Sequence, residues 1–499
     1  MNLLSIFVNQ DAGPIYRQVA SAVQRAIQRG ILRAGEQLPS ARELADQLQV
    51  NRHTVRAAYE ELLAEGWIRA EERIGYFVAN DFPQDFTGQP GLLRATGPGL
   101  IWEKLKQSGA ESSRLGRAEE PQVAAFPFNL QSSVPDLRLF PVQELKSCFS
   151  RALRQLTSHL DYHGAQGDPL LLSVLSDLVR QQRQLTAHEL ILTQGSQEAI
   201  FIAASLLLKP GCAVAVEEKG YQPAWQCFRH FGAELVPIRL DGEGIVPEDL
   251  ERRLQEKRID LLYLTPMHQY PTTVTLTPAR RARIMSLLRV HRVPLLEDDY
   301  DHDVHFDSFP PLPMAAQDPE QLVIYVSTLS KLIFPGARLG FMAVPAATLP
   351  WFIQMKAFTS RVNETLASRA VALWIQDGGF ERHLRRLRRI YRERRDHLIE
   401  RLTAQAFFRD HCAFIAPLGG MNLWLDIGCH PGKIVEKARQ QGLLLSGEHL
   451  YLTADRRHEA RHLRLGYAAH DEREMKKGLG ILQKILQEEN PDTDVQGRS

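Results

Sequence analysis

"YVSTLSKLIFPGARLG" spans Tyr325 to Gly340. It opens as a short apolar run of the kind that forms a buried strand. Thr328, Ser330 and Lys331 stand where that strand would end, and Pro335, Gly336 and Arg338 follow. One reading is a solvated loop carrying ordinary charges. The other is a lysine held in a pocket to form a covalent bond, with hydroxyls and an arginine waiting for a phosphate.

The flanking sequence favours the pocket. From about Phe126 onward, strand-like and helix-like stretches alternate. "ELILTQGSQEAIFIAASLLL" reads as a strand, a turn at Gly195 and a helix. "CAVAVEE" and "IDLLYLTP" are short apolar runs of the buried parallel type. "RVPLLEDDY" ends a strand in carboxylates and a tyrosine. In open α/β sheets, ligands bind beyond the carboxyl ends of the strands. Ser196, Gln197, Tyr221, Tyr270, Asp298, Asp299, Tyr300, Thr328, Ser330 and Lys331 all fall at such ends.

That set has a chemistry. A lysine can form a Schiff base with an aldehyde, and a carboxylate can keep a pyridine nitrogen protonated. A phenol can hydrogen-bond a ring hydroxyl, and an aromatic can cover the ring. A glycine turn opening a helix can hold a phosphate, helped by hydroxyls and an arginine. Together these are the parts of a pyridoxal phosphate site. By spacing alone, Asp299 fits the nitrogen-partner role as well as Asp298 does.

The first eighty residues read differently. "PIYRQVASAVQRAIQRG" (14–30) has Ile15, Val19, Val23, Ala26 and Ile27 at helical spacing. In "LPSARELADQLQVNRHTVRAAYEELLAEGWI", Ser40 and Asn51 can each cap a short helix, and only "QV" separates the two. That is the helix-turn-helix pattern, whose second helix enters the major groove. "WIRAEERIGYFVA" alternates on both sides of a turn and predicts the wing hairpin. Over residues 14–56, seven arginines face Glu36, Glu43 and Asp46, although the segment to residue 80 is nearly neutral. Arg42, Arg52, Thr54 and Arg56 are the expected DNA-binding residues, placed for phosphate and base-edge contact.

Bulk properties add exclusions. The chain has 499 residues and a net charge of +1, so any nucleic-acid binding must come from a local patch. The five cysteines form no CxxC pair, which predicts reduced thiols and no metal site. No signal peptide is evident, and the apolar run at 199–208 is too short to span a bilayer, so a cytoplasmic protein without membrane contact is expected. Residues 81–125 lose periodicity and read as a flexible linker. In "ERHLRRLRRIYRERRDHLIERL", the nine arginines of 381–401 invite a nucleic-acid reading. Leu384, Leu387, Tyr391, Leu398 and Leu402 instead predict a long amphipathic helix with a solvated basic face.

Residues 14–79 resemble a GntR-type winged helix, and residues 126–490 resemble the fold-type I aminotransferases. The second resemblance implies an α/β fold: a mostly parallel sheet flanked by helices, with a smaller C-terminal subdomain. It implies that Lys331 links pyridoxal 5'-phosphate, Asp298 meets the pyridine nitrogen and Tyr300 the ring hydroxyl. It assigns the phosphate to Ser196, Gln197, Thr328, Ser330 and Arg338, ring stacking to Tyr221, and a substrate carboxylate to Arg464. Tyr162 would reach the phosphate from the other subunit of a dimer. The chain departs from the pattern at Tyr270-Pro271-Thr272-Thr273, where the family has Asn-Pro-Thr-Gly. The aromatic after His-Gln is typical of the regulator branch; Thr273 is not.

The fusion of both parts is the architecture of the MocR/GabR family of bacterial regulators. It implies a transcription factor that binds a double-stranded DNA operator, senses a small amino compound or the cofactor, and forms a head-to-tail homodimer. The expected layout is 1–80 winged helix-turn-helix, 81–125 linker, 126–490 aminotransferase-like domain and 491–499 disordered tail. The rival reading is an active aminotransferase with an attached DNA-binding module.

Overall fold

The computed structural model describes residues 13–71, 74–80, 126–131, 135–154, 164–306, 310–361 and 364–489. The expected linker at 81–125, the tail at 491–499 and Tyr162 lie outside them. The chain divides into two units, Met1–Glu119 and Glu120–Ser499.

In the first unit, helices Ile15–Gln28, Ala41–Leu48 and Arg52–Ala64 precede an antiparallel hairpin, Ile68–Glu71 with Gly75–Val78. Local chemistry sets the boundaries. The Ser40 hydroxyl accepts from the Glu43 amide while Glu43 accepts from the Ser40 amide, a reciprocal capping box. Asn51 Oδ1 accepts from the His53 amide at 2.8 Å and opens the next helix. Between them Gln49 turns the chain in the left-handed region at φ 52°. Val19, Val23, Leu44, Val55, Tyr59 and Leu62 form the core.

The second unit is built on a seven-stranded sheet. Its order is His188–Thr193, Gly340–Pro345, Val323–Thr328, Leu295–Asp299, Leu261–Leu264, Ala213–Glu217, Glu234–Ile238. Only Gly340–Pro345 runs antiparallel to its neighbours. Alternate residues feed two separate cores: Leu190, Leu192, Leu262 and Leu295 on one face, Ile191, Val214, Leu261 and Leu296 on the other. Burial on both faces explains why these strands read as continuous apolar runs. A smaller antiparallel sheet follows, in the order Ala413–Phe414, Asn422–Asp426, His462–Gly466, Ser446–Gly447.

The arginine-rich segment is one helix, Gly379–Ala404, with Leu384, Leu387, Tyr391, Leu398 and Leu402 buried. Arg385 and Arg389 pair with Glu381 and Glu393 one turn away on its exposed side, the arrangement of a solvated face.

Candidate cofactor site and DNA-facing helix

A cavity of about 570 Å³ opens at the carboxyl edge of the large sheet. Thr328, Ser330 and Lys331 line it, leaving the end of the strand Val323–Thr328. Asp298 and Tyr300 enter from the neighbouring strand, and Gly195, Ser196 and Gln197 from the turn after His188–Thr193. Tyr221, Tyr270, Arg338 and Arg464 line it as well, so of the expected set Tyr162 alone, outside the described residues, is not placed there.

Burial pulls the Lys331 amine down to about 8; Arg464 acts the same way, against Asp301 and Asp298. Burial raises the Asp298 carboxyl to about 7, although Tyr263 donates to its Oδ2 at 2.8 Å. Asp298 Oδ1 is buried and has no hydrogen-bond partner. Asp299, one residue on, has other surroundings. Its Oδ2 lies 2.7 Å from His302 Nδ1 and accepts from the Tyr325 hydroxyl at 2.7 Å. Burial would raise the Asp299 carboxyl, but His302, Arg183 and Tyr325 together hold it at about 2. Of the two carboxylates, Asp298 lines the cavity and Asp299 does not.

The helix Ser196–Leu207 points its N-terminus at the cavity, and its N-cap, Gly195, supplies no side-chain cap. Amides at such an end attract an anion. Gly195 has φ 82°, and a Cβ there would lie 3.7 Å from Arg338 Nη1. Gly340 matters for a related reason: its Cβ would sit 2.8 Å from Gly195 Cα, so only glycine lets that strand pass behind the turn. Thr328 Oγ1 accepts from the Ser330 amide at 3.1 Å.

Tyrosines make up much of the remaining wall. The Tyr270 ring meets Tyr221, Tyr300 and Tyr451 edge-on, with centroids 5.5, 6.0 and 5.4 Å apart. The Arg464 guanidinium lies over the Tyr270 ring at 4.4 Å. The Tyr300 hydroxyl donates to the His268 carbonyl at 2.9 Å, which leaves its oxygen able to accept. At the departure from the family pattern, Thr273 holds φ 66°, a left-handed backbone that the usual glycine would take without strain.

Several lining residues were absent from the sequence expectation: Gln131, Thr265, Ser446, Leu450 and Tyr451. Tyr263 was missed as well, and it had a signal. A lone tyrosine inside an apolar strand needs a buried partner for its hydroxyl, and that partner is Asp298.

On the helix Arg52–Ala64, Arg52 and Arg56 are exposed and Thr54 is half-buried, while Val55, Ala58, Tyr59 and Leu62 face the core. Arg42 is exposed on the preceding helix. Arg56 also pairs with Glu60 at 3.2 Å.

Residues 128–482 match the family described as aminotransferase class I and II, and residues 15–78 match the bacterial regulatory proteins of the gntR family. The probable rhizopine catabolism regulatory protein MocR of Rhizobium meliloti is 31% identical over 412 residues, 80% of this chain and 81% of that protein. The HTH-type transcriptional regulator TauR of Rhodobacter capsulatus is 27% identical, over 95% of this chain and 97% of its own length. Among solved structures, a kynurenine aminotransferase of Pyrococcus horikoshii superposes with a TM-score of 0.69 at 24% identity, covering 80% of this chain and 98% of that one. That likeness concerns the fold.

The residues present fit pyridoxal phosphate. A buried carboxylate oxygen without a partner, a depressed lysine and an uncapped helix end share one cavity. These complement a pyridine nitrogen, an aldehyde and a phosphate, respectively.

Proposed function

Since this chain belongs to the aminotransferase class I and II family and joins it to a gntR-family module, as MocR-type regulators do, we propose that it is a pyridoxal-phosphate-dependent DNA-binding transcriptional regulator. Its large domain would sense a small amino compound or the cofactor itself. The observation that carries this reading is the unpartnered Asp298 Oδ1 in the cavity that holds Lys331.

When bound, the cofactor supplies an electrophilic carbonyl on an electron-withdrawing ring. Lys331 Nζ would hold it covalently. Asp298 Oδ1 would accept a hydrogen bond from the protonated ring nitrogen and keep it protonated, and Tyr300 would meet the ring hydroxyl. Ser196, Gln197, Thr328, Ser330 and Arg338 would hold the phosphate, and Tyr221 would cover the ring. Arg464, a planar cation, grips the anionic group of an effector. Binding alters DNA affinity only insofar as the effector favours one arrangement of the domain over another.

Arg42, Arg52, Thr54 and Arg56 face the operator. The protein acts in the cytoplasm as a head-to-tail homodimer, with Tyr162 reaching the phosphate of the other subunit. The exposed Trp351 (59%) and Phe358 (74%) on the helix Leu349–Thr359 suit a subunit interface.

The test is to sequence DNA fragments captured by the protein with and without pyridoxal phosphate. A defined site whose occupancy changes with cofactor or amine is expected. Cofactor-independent capture without sequence preference would refute the reading. A turnover assay with amino donors and keto acids tests the rival aminotransferase.

A further inference from the structure

Three tyrosines of the cavity wall are anchored at one place away from the cavity. The loop carrying Tyr221 meets the turn Glu448–Leu450 and the residues just after it. Lys219 and Leu452 form an isolated antiparallel bridge, and the Gly220 amide donates to the Tyr451 carbonyl at 3.0 Å. Gln222 Nε2 donates to the Leu452 carbonyl at 3.2 Å. Gln269, next to Tyr270, donates to the Lys219 carbonyl at 2.8 Å. A second ion pair, Arg456 with Glu218, spans the same seam.

Glu448 is the centre of this arrangement. Its side chain is 3% exposed. Oε1 accepts from Lys219 Nζ at 2.7 Å. Oε2 lies 2.6 Å from His462 Nδ1 and accepts from the amides of Arg461 and His462 at 2.8 and 3.1 Å. Burial alone would raise this carboxyl, yet the His462, Arg461 and Lys219 contacts hold it at about 2. A buried carboxylate this fully satisfied stays charged and fixed in place. His462 and Arg461 belong to the small subdomain, and Lys219 follows a strand of the large one.

We propose that Glu448 and Lys219 form a clasp that positions Tyr451, Tyr221 and Tyr270 as the roof of the cofactor cavity and so sets how long the ligand stays. The clasp sits three residues before Tyr451 and two before Tyr221. Through Gln269 it also fixes the backbone beside Tyr270. Glu448 and Lys219 are positioning residues; neither lines the cavity. The inference rests on the cofactor reading above.

The test measures release of bound pyridoxal phosphate. The absorption of the Lys331-linked cofactor is followed after addition of an excess of a phosphate-bearing pyridine analogue. The thermal midpoint of the cofactor-free protein is recorded beside it. Lys219→Met removes a charged hydrogen bond, a change that shifts an equilibrium by roughly tenfold or more. Release roughly tenfold faster is therefore expected, and Lys219→Arg should restore most of the difference. Glu448→Gln, which keeps the shape, should also release faster. A purely structural role would lower the thermal midpoint and leave release from the folded protein unchanged, which overturns the clasp. Fast release by Lys219→Met that Lys219→Arg does not slow overturns it too, as does failure of both Lys219→Met and Glu448→Gln to fold. If the wild-type protein forms no linked cofactor at all, the functional reading itself has failed, and the inference falls with it.

Discussion

Asp298→Asn should stabilise the cofactor-free protein and weaken its hold on the cofactor. The carboxyl titrates at about 7 in the folded chain against an ordinary 3.8. Below pH 3.8 both states bind the proton, and Asp298 carries no pH-dependent penalty. Between 3.8 and about 7 the unfolded chain has lost the proton and the folded chain keeps it. Stability therefore falls as pH rises, by about 1.4 kcal/mol per unit. Above pH 7 to 8 the penalty levels off at roughly 4 kcal/mol. Asparagine removes the titration and can still accept from the Tyr263 hydroxyl. Cofactor-free Asp298→Asn should thus be more stable than wild type at pH 8 by up to about 4 kcal/mol, and by about half that or less at pH 5. Urea unfolding of both proteins from pH 5 to 8 measures the difference. Glu217 and Glu297, raised to about 8 and 7 by burial, titrate in both proteins. They largely cancel, apart from the part of the Glu217 shift that Asp298 causes. With the cofactor present the sign reverses, because a charged acceptor for the ring-nitrogen proton is lost, and affinity should fall roughly tenfold or more. Parallel stability curves for the two cofactor-free proteins across pH 5 to 8 would falsify the assignment of a buried, raised carboxyl at 298.

Lys331→Ala should abolish the absorption of the linked cofactor and leave the fold intact. The lysine titrates at about 8 against an ordinary 10.5, so its buried charge is a burden below pH 8. Removing it should raise cofactor-free stability there by up to roughly 3 kcal/mol, before the lost packing is subtracted, and the gain should vanish above about pH 10. Borohydride-trapped cofactor at full occupancy in that variant would show that another lysine is linked. Arg52→Ala should weaken operator binding without changing cofactor content. It should reduce the salt slope by about one if it contacts a phosphate, or relax one base pair by roughly 1–3 kcal/mol if it reads a guanine. An unchanged footprint and affinity would remove Arg52 from the interface. Arg464→Lys should retain the cofactor yet lose the response to an anionic amino effector, because an ammonium reproduces neither the bidentate grip nor the stacking on Tyr270. Loss of thermal stability with the response preserved would mark Arg464 as structural.

Much of this molecule was legible in one dimension. The helix-turn-helix could be read because caps act within three residues: Ser40 with Glu43, and Asn51 with His53. The large sheet could be read because strands buried on both faces must be apolar throughout, so polar residues at their ends stand out. Lys331, Ser196, Tyr221 and the pair Asp298–Asp299 stand out in that way, and one cavity gathers Lys331, Ser196, Tyr221 and Asp298.

What stayed hidden depends on direction and distance. Asp298 and Asp299 are neighbours on one strand, so their side chains leave on opposite faces. Which face meets the cavity follows from what packs on each side: Tyr263 reaches Asp298, whereas His302 and Tyr325 reach Asp299. Tyr451 and Ser446 come from the small subdomain, more than a hundred residues from Lys331. Lys219 and Glu448 lie far apart in the sequence, and only the seam buries the glutamate beside the lysine. The sequence by itself determined which elements form and which chemical groups stand at their ends, because hydrogen bonding and apolar period act over a few residues. Only the tertiary structure decided which carboxylate faces the cavity and which distant tyrosines roof it, because those choices are made by packing between segments that local pattern does not connect.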